Sequence, residues 1–124
     1  MEEQLFKWSR PHCKRFYIPL QSLRDLFGAD WADEDAPKYL RFVVKGTTIC
    51  VVRGDGFGPH DISCKRASHF SGGRVFDYCV KMTGLDPRGS QIAAAPIRFD
   101  GRRLFIDLEK AEMGVSRRAG GYQK

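Results

Sequence analysis

The sequence predicts an α+β domain that is mostly antiparallel β, a small β-barrel-like body made of two helix-plus-hairpin halves. Three observations support this fold class. Runs rich in β-branched residues flank glycine turns, as in antiparallel hairpins. Two short segments carry apolar residues at helical spacing. Each segment is followed by a loop and a hairpin, so one order of elements occurs twice, which suggests a pseudo-duplication. Because a hairpin with one short helix cannot bury its apolar face, the two units would have to cover each other.

The first half, residues 10–53, begins with a strand and a short helix. Residues 14–18 are basic, aromatic and β-branched, which is typical of a strand. Pro19 then suits the first turn of a helix, because its missing N–H is not needed there. Apolar residues recur at helical spacing over 20–27, and Gly28 stands where helices often end. We therefore predict a helix over 20–27.

A hairpin completes this half. Residues 39–45 and 47–53 are rich in valine and isoleucine and flank Gly46, as expected for two antiparallel strands with a tight turn. Residues 29–38, between the helix and the hairpin, are acidic and are predicted to form a loop.

The second half, residues 72–110, repeats this order after a Gly-rich linker over 54–73. Residues 75–83 carry an apolar side at helical spacing, and Gly84 is the expected C-cap. The second half therefore also opens with a short helix.

The second hairpin is predicted around the Asp100-Gly101 pair, because both positions tolerate a positive φ. Residues 92–99 form the outgoing strand, which Pro96 should confine to a sheet edge or a bulge. Residues 102–108 form the returning strand. Beyond it, residues 111–124 are Gly-rich and basic, and we predict a flexible tail.

Length and composition fit one globular domain over residues 1–110. The chain has 124 residues, of which 42% are hydrophobic and 29% charged, so it can bury a core of ordinary size. This composition excludes a disordered tail, a coiled coil and a collagen. No run approaches the ~18 apolar residues of a membrane span, and the acidic N-terminal segment lacks the apolar core of a signal peptide. We therefore expect a cytoplasmic protein without a membrane partner.

Charge indicates an anionic partner. The formal net charge is +6, and residues 29–36 hold four carboxylates and no base, so the surplus lies elsewhere in the chain. Such a surplus attracts polyanions, of which nucleic acid is the commonest inside cells. We expect DNA as the partner, with RNA as an alternative. Solvated charges that only keep the protein soluble remain a second interpretation.

Four stretches resemble the AbrB-like swapped-hairpin transcription regulators. Residues 15–19, Arg-Phe-Tyr-Ile-Pro, and 23–28, Leu-Arg-Asp-Leu-Phe-Gly, are similar to the opening strand and short helix of that family. Residues 40–52 are similar to its dimer-forming strand pair. The Gly-Leu-Asp-Pro-Arg-Gly stretch over 84–89 resembles its G-L-x-P-G turn. The resemblance covers about half of the chain.

This resemblance implies a regulatory or accessory protein that binds double-stranded DNA. It carries the family's DNA contacts to Arg15 and Arg24, with Lys14 as a helper. A duplicated chain would build a pseudo-dimer within one polypeptide, which leaves both a monomer and a homodimer open.

The predicted phosphate contacts are basic residues that lie in strands, loops or the first helix, several of them paired and beside aromatics. They are Arg10, Lys14, Arg15, Lys65, Arg66, Arg102 and Arg103, to which the resemblance adds Arg24 in the first helix. Interleaved aromatics such as Phe16 and Phe70 also suit single-stranded nucleic acid, because bases stack on rings, although both rings could equally be core. We favour the Arg102-Arg103 pair before any other, since hairpin tips reach outward.

The acidic loop supports a different class of function, a protein-binding or inhibitory module. An exposed tryptophan among carboxylates would suit an interface anchor that captures a basic protein. The residues concerned are Asp30, Trp31, Asp33, Glu34 and Asp35. The other interpretation is that Trp31 packs into the core and the acids form a solvated rim.

No catalytic, metal or cofactor site is predicted. The four cysteines, Cys13, Cys50, Cys64 and Cys79, lack C-x-x-C spacing, and we expect thiols rather than disulfides. The G-x-G-x-G run over 54–58 is not followed by a helix, so we interpret it as part of the linker and not as a phosphate loop. His60 and His69 are the candidates for acid–base chemistry, and a small enzyme acting on nucleic acid stays open.

Overall fold

The computed structural model describes residues 4–10, 13–29, 31, 38–64 and 69–115, without the side chains of His69 and Val115. The elements follow in chain order. They are β1 (Gln4–Ser9), β2 (Arg15–Tyr17), α1 (Leu20–Phe27), β3 (Lys38–Lys45), β4 (Thr48–Gly54), β5 (Ile62–Cys64), β6 (His69–Ser71), α2 (Gly73–Thr83), β7 (Gln91–Phe99), β8 (Leu104–Asp107), a 3-10 turn (Leu108–Lys110) and β9 (Glu112–Val115).

The strands form one antiparallel sheet that curls into a half-barrel. Their order is β5-β3-β4-β8-β7-β1-β2-β6, and β9 pairs with β7 beside β8. The predicted fold class, mostly antiparallel β with two short helices, is confirmed at this level. Both predicted hairpins form, and β4 pairs with β8, so the two hairpins lie side by side in the middle of the sheet.

The core fills the inside of the curled sheet, because alternate side chains of each strand point there. Phe16 lies at its centre, with ring centroids 5.7 Å from Phe6, 5.0 Å from Phe70 and 5.2 Å from Phe42. Aromatic rings at these separations stabilise one another beyond the area they bury. The largest fully buried side chains are Trp8, Phe6, Phe16, Phe76, Ile18, Leu23, Leu40, Ile49, Leu104, Ile106 and Val51.

Both helices lie where the apolar periodicity predicts them. Helix α1 has the predicted bounds and buries Leu23, Leu26 and Phe27. The Arg53 side chain of β4 donates a hydrogen bond from Nε to the Leu26 carbonyl (2.8 Å) and so ties the end of α1 to the sheet. Helix α2 ends at Thr83, and the φ of 75° at its C-cap, Gly84, is left-handed as the C-cap prediction requires.

Three predictions about the sheet are wrong in part. Strand β7 is interior and not an edge, because β1 pairs with it on one side and β8 and β9 pair with it on the other. On that second side, residues 97–99 pair with β8 and residues 91–94 with β9, and Pro96 lies between the two stretches. The second hairpin has a four-residue connection, because Phe99 pairs with Leu104. Residues 112–115, which the sequence places in the tail, form β9; residues 116–124 lie outside the described part.

Two further strands, β5 and β6, form within the stretch that we interpreted as a linker. Each has three residues and lies at one end of the sheet order, β5 against β3 and β6 against β2. Strands this short gain their stability from the partner strand, which explains why local sequence does not mark them.

Candidate nucleic-acid interface

The face of the sheet that points away from the core carries several cations. We call it the outer face. Strand pairing places Val43 beside Cys50, Cys50 beside Phe105, and Phe105 beside Arg98, so these side chains form one row across β3, β4, β8 and β7. The row lies on the outer face because the neighbouring residues in each strand, such as Ile106, are directed into the core.

An arginine cluster surrounds one ring of this row. The guanidinium carbon of Arg98 lies 4.6 Å from the centroid of the Phe105 ring, and that of Arg103 lies 5.1 Å from it. A ring face attracts cations and fixes the plane of each guanidinium. With Arg102, which is exposed in the adjacent turn, these residues define the arginine cluster: Arg98, Arg102 and Arg103.

The turn that presents the cluster is organised by Asp100. Its carboxylate accepts hydrogen bonds from the backbone N–H groups of Arg102 (2.9 Å) and Arg103 (2.8 Å). These bonds, with a longer ion pair from Arg103 Nη2 (3.2 Å), hold the pKa of Asp100 below its usual value. Asp100 therefore offsets the charge of Arg103, while Arg98 and Arg102 meet no carboxylate among the described residues.

Besides Arg103, two of the predicted phosphate contacts pair with carboxylates of the protein itself. Arg10 forms an ion pair with Asp86 and covers the Phe76 ring at 4.8 Å. Lys14 Nζ lies 2.7 Å from a carboxylate oxygen of Asp77. An exposed pair of this kind contributes little to stability, but it lowers the charge that the side chain offers to a phosphate.

Two further predicted contacts, Arg15 and Arg24, lie apart from the cluster. Arg15 is on β2, where its Nη2 lies 3.7 Å from the thiol sulfur of Cys13, and Arg24 is exposed on α1. Neither meets a carboxylate among the residues that the structure describes. Lys65 and Arg66 lie outside the described residues. The favoured pair, Arg102 and Arg103, is at the hairpin tip as predicted, whereas sequence reasoning missed Arg98 and Phe105.

The predicted role of Trp31 as an exposed anchor is wrong. Its side chain is 4% exposed and packs against Phe27, with ring centroids 5.7 Å apart. The apolar area of tryptophan explains this burial, which the alternative interpretation of the loop expects. The acidic residues named with it, Asp30, Asp33, Glu34 and Asp35, lie outside the described residues.

The glycine-rich run closes around a carboxylate of its own. We call residues 54–61 the Gly loop. Asp61 Oδ2 accepts hydrogen bonds from the backbone N–H groups of Gly56 (3.0 Å) and Gly58 (3.3 Å), and Arg41 donates to both carboxylate oxygens at 2.9 Å. Arg41 and the two backbone donors hold the pKa of Asp61 well below its usual range. The groups that would cradle a phosphate are thus already satisfied, which agrees with our interpretation that this run does not bind one.

The cysteines differ in their chemistry. Burial raises the pKa of the Cys79 thiol to about 12, so that side chain is a buried hydrophobe at neutral pH. Hydrogen bonds from Arg15 and Ser71 lower the pKa of the exposed Cys13. No disulfide links any of the four cysteines, all of which are described. Within the described residues, no three His, Cys, Asp or Glu side chains converge as metal ligands would.

Comparison of this chain with protein-family models, curated proteins and solved structures finds no match. No helix in the described part is both long and apolar enough to cross a membrane.

Proposed function

We propose that the protein binds nucleic acid through the arginine cluster on the outer face of the β7–β8 hairpin. DNA is the expected partner, in a regulatory or accessory role in the cytoplasm. One observation carries the proposal: Arg98 and Arg102 are exposed and lack carboxylate partners among the described residues, and Arg98 covers the Phe105 ring together with Arg103. Planar guanidinium groups donate well-directed hydrogen bonds to phosphate oxygens.

An AbrB-like organisation is part of the same proposal. It is supported by the antiparallel pairing of β4 with β8, since two related hairpins side by side are what a pseudo-dimer within one chain requires. In that organisation Arg15 and Arg24 would form a second contact region. Their lack of carboxylate partners in the described part of the chain leaves them available for it.

The salt dependence of binding tests the proposal. Fluorescence polarisation with labelled duplex DNA, single-stranded DNA and RNA should detect affinity that falls as salt rises, because binding releases counterions. For duplex DNA each lost phosphate contact changes the slope of log affinity against log salt by about 0.9. The Arg98→Gln/Arg102→Gln variant should therefore have a slope shallower by about 1.8.

A matched control removes two exposed charges from another surface. Arg74 and Lys81 are exposed on α2 and have no carboxylate partner among the described residues. The Arg74→Gln/Lys81→Gln variant should keep the wild-type slope. Equal losses in both variants would assign the affinity to net charge and not to the cluster. The proposal is wrong if the wild-type protein binds none of the three nucleic acids.

A further inference from the structure

Phe57 is the most exposed large hydrophobic side chain among the described residues, at 91% of its full area. It lies at the tip of the Gly loop, which is held by a network of hydrogen bonds. Its own N–H donates to Asp55 Oδ1 (2.9 Å), its two glycine neighbours donate to Asp61, and Arg41 pairs with both carboxylates. The ring is therefore placed in solvent by an ordered backbone.

Close packing under the loop adds to this order. A Cβ atom at Gly54 would lie 2.6 Å from Asp61, one at Gly56 would lie 2.8 Å from the Tyr39 ring, and one at Gly58 would lie 2.5 Å from Asp61. The loop thus requires glycine where its backbone meets these side chains. A side chain presented on such a loop loses little backbone entropy when it binds a ligand.

The loop lies on the same face and at the same end of the sheet as the arginine cluster. It packs over Tyr39 and Arg41, which alternate with the buried Leu40 and so belong to the outer face. Arg41 pairs with Val52 of β4, and Arg103 immediately precedes the β8 residue that pairs with Val51. Two strand spacings, about 10 Å, therefore separate Arg41 from Arg103.

The surroundings of Phe57 suit a nucleobase better than a protein. A protein interface needs a contiguous apolar centre, whereas the neighbours of Phe57 in the loop are glycine, Asp55 and Pro59. Of the exposed valines of β3, Val44 points to the opposite face of the sheet, and Val43 lies in the outer-face row that holds Cys50 and Phe105. A single exposed ring near arginines is the arrangement that binds single strands, where bases stack on aromatics and cations contact the backbone.

We propose that Phe57 is a base-stacking residue and that the protein prefers single-stranded nucleic acid to a duplex. This inference rests on the proposed function, since it needs the cluster to hold the phosphates. It adds a preference, because the bases of a duplex are already stacked and offer no face to the ring.

The test compares an oligothymidylate of about 20 nucleotides with the corresponding duplex, each labelled with fluorescein. Phe57→Ala should weaken binding of the single strand about tenfold to a hundredfold, the effect of losing one stacked base. Phe57→Leu, which keeps apolar area but no aromatic face, should lose nearly as much. Phe57→Trp should bind as well as wild type or better. Leu20→Ala, at another exposed apolar site, is the matched control and should bind like wild type.

Fluorescence gives an independent readout. The native tryptophans, Trp8 and Trp31, are buried, so in Phe57→Trp the introduced indole is the one that a base can reach. Oligothymidylate should quench its emission in parallel with polarisation, while wild-type emission stays unchanged.

The outcomes separate the two proposals. If Arg98→Gln/Arg102→Gln weakens binding but Phe57→Ala and Phe57→Leu do not, the stacking inference is wrong and the proposed function stands. If the duplex binds more tightly than the single strand, the inference is also wrong. If wild type binds neither probe, both proposals are wrong.

Discussion

The Gly loop and the β7–β8 turn differ in how fully an aspartate neutralises the arginine beside it. Each is built around an aspartate that accepts backbone N–H groups and pairs with an arginine. The Asp61 side chain is 2% exposed, and its two oxygens accept from Nε and Nη2 of Arg41 along one edge of the guanidinium. Asp100 is 27% exposed and holds Arg103 through one longer contact of 3.2 Å.

This difference shows that the number of cations near a loop does not determine the charge that the loop offers. Arg41 is used within the protein, because two carboxylates, Asp55 and Asp61, share its guanidinium. In the β7–β8 turn, a single carboxylate faces three arginines, so positive charge remains at the surface. A phosphate is therefore attracted to the turn and not to the Gly loop.

The largest loss of stability is expected from Asp61→Asn in the Gly loop. The amide is uncharged and has one acceptor oxygen instead of two, so Arg41 loses its ion pair with residue 61 and one of its two hydrogen bonds there. The urea midpoint should therefore fall further than for Asp100→Asn. The pKa of Asp61 is lowered in the folded state, and its carboxylate therefore stabilises the fold above the unfolded pKa of about 3.9. This contribution is lost as pH falls through the lower folded pKa.

Urea unfolding at about pH 7 and about pH 3 checks this prediction. The difference between wild type and Asp61→Asn should be large at the higher pH and shrink at the lower one. A difference that does not change with pH would mean that the charge of Asp61 contributes nothing. Equal losses for Asp61→Asn and Asp100→Asn would remove the contrast between the two turns.

A smaller effect should come from glycine substitutions, for different reasons in the two turns. Gly58→Ala should cost about 3 kcal/mol, because the new Cβ would meet Asp61 and Arg41. Gly101→Ala meets nothing within 4 Å, but its φ of 100° is strained for alanine and should cost about 1 to 2 kcal/mol.

Chemical denaturation in an Asp61→Ala background separates these causes. Removing the carboxylate makes room for the Cβ at position 58, so the cost of Gly58→Ala should drop there. The cost of Gly101→Ala should stay the same, since distant sites add independently. If Gly58→Ala costs the same in the Asp61→Ala background as in wild type, contact with Asp61 does not explain its cost.

The smallest change in stability should come from Arg102→Gln. This side chain is exposed and makes no ion pair among the described residues, so the free energy of unfolding should stay within about 0.5 kcal/mol of wild type. The salt slope for duplex DNA should nevertheless become shallower by about 0.9. Arg41→Gln should do the reverse and lower the urea midpoint with an unchanged slope. A slope that responds to Arg41 would show that the Gly loop also binds phosphate.

Local signals explain what the sequence could predict. Helix α1 and the β3–β4 hairpin depend on residues that are near one another in the chain. The apolar periodicity is therefore sufficient to predict the helix, and Gly46 is sufficient to predict the turn of the hairpin. Strands β5, β6 and β9 were missed because each depends on pairing with a distant strand.

The same limit applies to the candidate site. The Arg102-Arg103 pair is visible beside a turn signal, but Arg98 joins it only through the β7–β8 register, which sets it opposite Phe105. The pairings of Arg10 with Asp86 and of Lys14 with Asp77 cross more than half the chain. Sequence patterns cannot reveal such neutralisation, so a count of cations overestimates the charge that is available.

The position of β7 has a consequence for how the chain folds. This strand lies between β1 on one side and β8 with β9 on the other, and its register sets Gln4 opposite Ile97. During synthesis, β1 leaves the ribosome long before its partner exists. The complete sheet therefore forms late in folding, and the pairing of β1 with β7 should limit the folding rate.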